Sequence, residues 1–319
     1  MSSYSRSDLE TTAKKSGFLR DNLEKVIRLS DLLRYFNKSP LLAENLALKG
    51  GTAINLTIFN LPRLSVDIDF DFTKKCKKEE MLITREFINQ ELLTYMFTQG
   101  YTLSPNTKNP HSLDSWAFYY QNAVGNKDNI KIEINYSMRE HILPLTERNI
   151  DIEFIPSFSI RTLDPLELFG SKIKALIERT AARDLYDVYN MIDQSLFPDK
   201  DLNLLRKIIL FYLSVGGNNL PKTKYSFEAI DKLKYPQIRA NLIPVLRKTE
   251  HFNFEKAKDC VKEFLSKLMI FSEQEKSFIE NFNHNLYSPE LLFDNKEIVN
   301  RIKEHPMAMW KTRKKENTR

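Results

Sequence analysis

The segment Val66–Phe72 restricts the possible fold more strongly than any other part of this sequence. It reads VDIDFDF, so apolar side chains alternate with three aspartates, Asp67, Asp69 and Asp71. Alternation with a period of two predicts a β-strand that buries its apolar face and presents all three carboxylates on the other face. Carboxylates at this spacing repel one another and raise each other's pKa unless a cation or an arginine lies between them. The pattern therefore favours a metal-binding strand.

A pair of glycines precedes the acidic strand. Leu46–Lys49 is short and apolar, which predicts a strand, and Gly50 and Gly51 are expected to end it before a helix from Thr52 to about residue 59. Free backbone N–H groups at the start of that helix, together with the Thr52 hydroxyl, can bind a phosphate. An ordinary tight turn is the alternative interpretation, but the acidic strand downstream favours the phosphate site. The spacing of a Walker-type loop is absent.

Arg63 and Ser65 lie just before the acidic strand, and their side chains are expected either to contact phosphates or to hold the turn. The remaining pattern up to residue 160 is a mixture of amphipathic helices and alternating strands. Helices are predicted over residues 18–36 and 78–97, and strands over residues 115–122, 129–136 and 150–160.

A fourth acidic residue falls on a predicted strand, because Glu133 lies on the polar face of the segment NIKIEINY at residues 129–136. It is the candidate for a third carboxylate of the site. Asp71 competes for that role, although its place at the strand end makes a solvated surface acid an equal explanation.

Charged residues also cluster on and after a helix predicted from Pro165 to about residue 180, with Asp164 as its N-cap. Lys172 and Arg179 share one face of this helix. Lys172, with Lys174 as a nearby competitor, is the candidate cation of this cluster. Asp184 and Asp187, one helical turn apart, are candidates to orient Lys172 and Arg179. A salt-bridged surface is the alternative.

Composition indicates a folded protein with two domains. The chain has 319 residues, of which 42% are hydrophobic, and its net charge of +6 favours polyanionic partners, with a merely basic soluble protein as the alternative. Helical patterns without strands follow Asp201, so residues 1–195 are predicted to form a catalytic domain and residues 196–319 a helical C-terminal domain. The polar first residues, the absence of a long apolar segment and the presence of only two cysteines favour a cytoplasmic protein without a membrane partner.

Four motifs in this order resemble the AbiEii/AbiGii family of nucleotidyltransferase-like toxins, over about residues 15–195. They are KGGTA at 49–53, PRLSVDIDF at 62–70, KIKAL at 172–176 followed by Arg179, and RDLYD at 183–187. Thr52 stands where the wider superfamily commonly has serine, and it keeps the hydroxyl. In combination these motifs are hard to produce by chance.

The resemblance implies an α+β fold like that of the DNA polymerase beta superfamily, a mixed sheet flanked by helices, with a helical C-terminal part. It also implies a toxin of a toxin–antitoxin or phage-defence system, with a cognate antitoxin that need not contact it. Characterised relatives add nucleotides to the 3′ end of tRNA. We therefore expect an enzyme that transfers NMP from an NTP to RNA, most plausibly tRNA, and so blocks translation.

This chemistry assigns roles to the residues already identified. Transfer to a 3′-hydroxyl with pyrophosphate as leaving group requires charge neutralisation, for which two Mg²⁺ ions on Asp67 and Asp69 are expected. Glu133 is expected to complete the metal ligands and help activate the hydroxyl. Lys172 is expected to bind the nucleotide phosphates, and Asp184 and Asp187 to position the base or to orient Lys172 and Arg179. Transfer to a small molecule or a protein is one alternative. Another is a non-catalytic protein that binds nucleotides or RNA.

Overall fold

The computed structural model describes residues 5–105 and 107–313 of the chain. They fall into two compact units. The first contains residues up to Arg139, Leu145–Leu163 and Ile243–Glu250, and the second contains Glu140–Pro144, Asp164–Leu242 and the residues from His251 onward. This grouping by contacts differs from the predicted division at residue 195, which stays a prediction about domains.

The first unit combines a mixed sheet with flanking helices. Its helices are α1 (Arg6–Ser16), α2 (Arg20–Lys38), α3 (Pro40–Asn45), α4 (Gly50–Thr57) and α5 (Lys78–Thr98). Its strands are β1 (Leu46–Lys49), β2 (Asp67–Phe72), β3 (Thr102–Leu103), β4 (Leu113–Gln121), β5 (Lys127–Asn135), β6 (Thr146–Ile152) and β7 (Ile155–Thr162).

The seven strands pair in the order β3-β4-β5-β2-β1-β7-β6. The acidic strand β2 is central, since it pairs antiparallel with β1 and parallel with β5. Two predictions are wrong in detail. The predicted strand over residues 150–160 is the antiparallel pair β6 and β7, because the chain turns between Ile152 and Ile155. Helix α4 begins at Gly50 and not at Thr52. The two glycines, which were expected to form a break before the helix, belong to its first turn.

The alternation in β2 separates a buried face from a polar face, as predicted. Ile68, Phe70 and Phe72 are each no more than 2% exposed. Phe70 stacks on Phe36 of α2 with ring centroids 4.8 Å apart. Burial of such side chains stabilises the unit by roughly 1.5–3 kcal/mol each, so the apolar face fixes which way the aspartates point.

The described residues of the second unit form helices and loops, with no strand among them. It contains α6 (Pro165–Arg179), α7 (Ala182–Asp193), α8 (Asp199–Val215), α9 (Tyr235–Asn241), α10 (Phe254–Leu268), α11 (Glu273–Asn283), α12 (Lys296–Ile302) and α13 (Pro306–Lys311). Asp164 caps α6 by accepting a hydrogen bond from the Leu166 N–H at 2.8 Å. The predictions of this cap and of helices beyond Asp201 are confirmed.

A buried acid joins separate segments within the second unit. Glu167 of α6 is fully buried and accepts a 2.6 Å hydrogen bond from the Tyr212 hydroxyl of α8. It also accepts hydrogen bonds from the N–H groups of Ile142 and Leu143. Glu140–Pro144 therefore belongs to this unit although it lies between strands in sequence. No helix of the described residues is long and apolar enough to cross a membrane.

Candidate active site

Strand pairing places a row of charged residues across the polar face of the first unit's sheet. Asp69 of β2 lies opposite Lys49 of β1 on one side and opposite Glu133 of β5 on the other. Asp67 lies opposite Lys131 of β5. Directly paired residues in a sheet point to the same face, so Glu133 shares the face of the two aspartates, as the sequence predicted.

The Gly50–Gly51 turn lies directly beside the acidic strand. Gly50 has φ +71°, in the left-handed region, and a Cβ added there would overlap the Asp69 carboxylate. The close approach therefore requires glycine on conformational and on steric grounds. Since α4 begins at Gly50, its first N–H groups and the Asp69 carboxylate lie in the same small region.

Arg63 and Ser65 lie beside the same turn, next to Gly51. A Cβ added at Gly51 would lie 2.9 Å from an Arg63 guanidinium nitrogen and 3.1 Å from the Ser65 hydroxyl. The Arg63 side chain is only 2% exposed, and its backbone forms an isolated antiparallel bridge with Leu246. A buried guanidinium beside a helix start favours binding of an anion such as phosphate.

The Thr52 hydroxyl has a structural partner. It donates a short hydrogen bond to the backbone carbonyl of Asp67, so it ties α4 to the start of β2. This contact sets the distance between the glycine turn and the acidic strand. Binding of phosphate by the Thr52 hydroxyl stays a prediction.

Glu133 is half-buried and has two polar neighbours. The Lys131 ammonium lies 2.6 Å from its carboxylate, and the Ser115 hydroxyl of β4 donates a 3.0 Å hydrogen bond. Burial opposes ionisation of Glu133, but the hydrogen bond and charge of Lys131, aided by Ser115 and Lys49, hold its pKa below the usual value. Glu133 is therefore ionised at neutral pH and able to accept a proton or bind a cation.

Asp71, the competitor for the third carboxylate, is not a solvated surface acid. It is 2% exposed, and its carboxylate lies 2.5 Å from the Lys49 ammonium. The solvated explanation is wrong because Asp71 pairs in register with Ala47 of β1, inside the sheet and not at its edge.

The residues present fit a divalent cation at Asp67 and Asp69. These are hard oxygen ligands on one strand face, and Asp69 lies against the helix start where an anionic phosphate would bind, an arrangement that needs a cation between the two. Among the described residues, no three acid, histidine or cysteine side chains form a ready metal cluster. Glu133 is held by Lys131, so its part in metal binding stays a prediction.

The predicted helix residues form a second cluster, within the helical unit. The Lys172 ammonium lies 2.9 Å from Asp184 and 3.1 Å from Asp187. Arg179 donates to both Asp184 oxygens, at 2.7 and 3.0 Å. The structure thus brings these four residues together. It supports the expectation that the aspartates orient Lys172 and Arg179.

Burial distinguishes this cluster from a salt-bridged surface. Asp184 and Asp187 are at most 1% exposed, and the Lys172 side chain is 8% exposed, whereas that of Arg179 is 64% exposed. The surface explanation is therefore wrong for all but Arg179. Burial would raise the Asp184 pKa, but Lys172 and Arg179 lower it to about 2. Lys174, the competitor of Lys172, pairs instead with Glu178 at 2.7 Å.

Sequence reasoning missed the two lysines among the carboxylates. Lys49 directly precedes the glycine pair, and Lys131 stands two residues before Glu133 on the same strand face. The alternation K-I-E in β5 could have identified Lys131. Lys49 could be identified only from the β1–β2 register, which the sequence does not contain.

Comparison with known proteins agrees with this geometry. A family model described as nucleotidyl transferase AbiEii toxin of type IV toxin–antitoxin systems matches residues 31–271. No curated protein matches the sequence. The structure of the nucleotidyltransferase toxin MenT4 from Mycobacterium tuberculosis H37Rv matches with a TM-score of 0.65 at 15% identity, covering 94% of this chain and 98% of that one. The two share a fold, which confirms the predicted class, and the chain belongs to the AbiEii family of nucleotidyltransferase toxins of type IV toxin–antitoxin systems.

Proposed function

We propose that this chain transfers a nucleoside monophosphate from an NTP to the 3′ end of tRNA in a Mg²⁺-dependent reaction, and that this modification blocks translation. The observation that carries the proposal is the contact of Gly50 with Asp69. It brings the start of α4, which suits phosphates, against a strand face that suits metal ions.

The nucleotide is bound by its phosphates. The first N–H groups of α4 and the buried Arg63 guanidinium supply donors close to Gly51. These groups are rigid, because Arg63 is buried and also donates to the Leu64 carbonyl at 3.0 Å. Fixed donors orient the triphosphate without reorganisation during the reaction.

Asp67 and Asp69 would hold the metal ions, which neutralise charge on the reacting phosphate and the leaving pyrophosphate when bound. Glu133 accepts the proton of the attacking 3′-hydroxyl. Lys131 and Ser115 keep its carboxylate ionised and point it along the sheet face. A candidate base held by two hydrogen-bond donors is ready in the correct protonation state at neutral pH.

Lys172 is proposed to act on the nucleotide's phosphates, as the family resemblance implies. Asp184 and Asp187 position it, since the two carboxylates fix its ammonium from two sides. The cognate antitoxin that type IV systems imply is proposed to counter the toxin without direct contact.

Incubation with total tRNA, Mg²⁺ and each α-labelled NTP tests the proposal. We expect label in tRNA, and loss of labelling by at least about 100-fold in Asp69→Asn. Asp151→Asn, at an exposed aspartate of β6, is the matched control and should label normally. If the label appeared in protein or in a small molecule, the acceptor would be that molecule and not tRNA. Full labelling by Asp69→Asn would refute the assigned site.

A further inference from the structure

A cavity lies in the first unit, away from the acidic strand. Its volume is about 920 Å³, within the range of about 300–1,000 Å³ common for ligand clefts. It is bounded by α2, the C-terminal end of α5, β3, and the hairpin end of β4 and β5. None of the residues predicted for the catalytic site lines it.

We call this cavity the hairpin pocket, because it lies at the hairpin end of β4 and β5. Tyrosines dominate one part of it. Five line it, namely Tyr35, Tyr95, Tyr101, Tyr119 and Tyr120. Tyr35 and Tyr95 stack with centroids 3.7 Å apart and planes inclined by 15°. Such rings supply flat surfaces on which nucleic-acid bases stack irrespective of sequence.

Cations interleave with these rings. Four basic side chains line the pocket, Arg28, Arg34, Lys38 and Lys127, with Asp31 as the acid in the lining. Arg28 pairs with the buried Glu24 at 2.7 Å and Arg34 pairs with Asp31 at 3.4 Å, so the two lysines are the candidates for phosphate contacts. The Lys127 ammonium lies 3.6 Å from the centre of the Tyr119 ring, and the Arg28 guanidinium lies 4.3 Å from the centre of Tyr120. Aromatic rings alternating with cations are the combination that binds single-stranded nucleic acid, since bases stack and phosphates pair.

The pocket and the acidic site share two strands of one sheet. Ser115 of β4 pairs with Glu133, and Tyr119, four residues further along, pairs with Asn129. Residues an even number apart point to the same face, so Tyr119 lies on the face of Glu133, about 13 Å along the strand. Tyr120 lies on the opposite face, where Arg28 of α2 contacts its ring, so the pocket extends round the hairpin end of the sheet. Lys131, which pairs with Ala117, lies between Glu133 and Tyr119.

We infer that the hairpin pocket binds an unpaired segment of the acceptor RNA, with bases on its tyrosines and phosphates on its lysines. The inference rests on the proposed function only in assigning this segment to the acceptor. A strand whose 3′ end reacts at the acidic face would reach Tyr119 and Lys127 along β4 and β5 and then pass round the hairpin end into the pocket.

Binding of a fluorescein-labelled single-stranded RNA of mixed sequence, followed by anisotropy without NTP, tests the inference. The double variant Lys38→Glu/Lys127→Glu reverses the charge of two exposed lysines of the pocket. We expect affinity to fall at least about 10-fold, and the slope of log K against log salt to shrink by about 1.4, since each phosphate contact with a single strand contributes about 0.7. Lys77→Glu/Lys78→Glu makes the same charge change at exposed residues outside the pocket and should bind as the wild type.

Stacking is tested separately by Tyr119→Leu, which keeps apolar bulk but removes the aromatic ring. We expect about 5-fold or greater weakening, the lower end of what one stacked base contributes. Equal weakening in the pocket and control lysine variants would overturn the inference, as would displacement of the RNA by free NTP or by duplex RNA at similar concentration. Because the assay involves no transfer, its outcome is independent of whether Asp69→Asn abolishes labelling.

Discussion

Replacement of Asp184 by asparagine tests the buried cluster of the helical unit. Asp184 is the common partner of Lys172 and Arg179, and its side chain is 1% exposed. Removing its charge leaves Lys172 buried with Asp187 as its remaining ionic partner in the cluster, 3.1 Å away. Breaking a buried pair on one side costs about 3–5 kcal/mol. We expect Asp184→Asn to lower the free energy of unfolding at pH 7 by that amount.

Part of this stabilisation depends on pH, and the lowered pKa of Asp184 determines the direction of the change. The folded-state pKa of Asp184 is about 2, below the ordinary value of 3.8. The stabilisation is therefore present above pH 3.8 and is lost as the pH falls through 2. With 1.36 kcal/mol per pKa unit, it amounts to about 2.4 kcal/mol at pH 7, about 1.3 kcal/mol at pH 3 and about 0.4 kcal/mol at pH 2. The penalty of Asp184→Asn should shrink by about 1 kcal/mol between pH 7 and pH 3.

Urea unfolding of the full chain, followed by circular dichroism at both pH values, measures these differences. Asp259→Asn is the matched control in the same unit, because its partner Lys262 is 3.2 Å away but the Asp259 side chain is 78% exposed. An exposed pair contributes at most about 1 kcal/mol. If the two variants lost equal stability, or if the Asp184→Asn penalty did not change with pH, the cluster would not act as a buried network.

Two further substitutions probe the first unit. Gly50→Ala should lower nucleotide transfer by about 100-fold, since a Cβ there displaces the Asp69 carboxylate and small displacements of catalytic groups cost about that much. Gly17→Ala is the control, because Gly17 also has positive φ but an added Cβ there would meet nothing closer than 3.6 Å, so labelling should stay intact. Lys131→Met should raise the Glu133 pKa, so the acidic limb of the pH profile of transfer moves to higher pH. Lys131→Arg keeps the charge and should keep the profile. An unchanged profile in Lys131→Met would remove Glu133 as the base.

Local patterns allowed much of the fold to be predicted from the sequence. The period of two in β2 and the helical period of α2 follow from which side chains are buried, and the apolar positions of the sequence show this directly. The β6–β7 hairpin was missed because its turn, between Ile152 and Ile155, has no glycine or proline to mark it.

Long-range neighbours could not be predicted in the same way. Arg63 lies beside Leu246, and the Leu64 N–H donates to Val245 at 2.8 Å, although the sequence around residue 245 gives only a helical pattern. The contact depends on chain segments about 180 residues apart, and periodicity carries no information about such pairing. The sequence therefore predicted Arg63 as a candidate but not the segment that holds it.

All the charged residues of the polar sheet face, and not the aspartates alone, have to be considered in predicting where a metal ion would bind. Four carboxylates share this face, Asp67, Asp69, Asp71 and Glu133, and they are interleaved with the ammonium groups of Lys49 and Lys131. Lys49 is occupied with Asp71, and Lys131 with Glu133. Asp67 and Asp69 belong to neither of these two pairs, and both lie on this face, where Asp69 approaches the helix start. Their hard oxygen atoms suit a divalent cation, which stays a prediction. A bound triphosphate would bring further negative charge to the same place, so we propose that the second of the two predicted ions enters with the NTP.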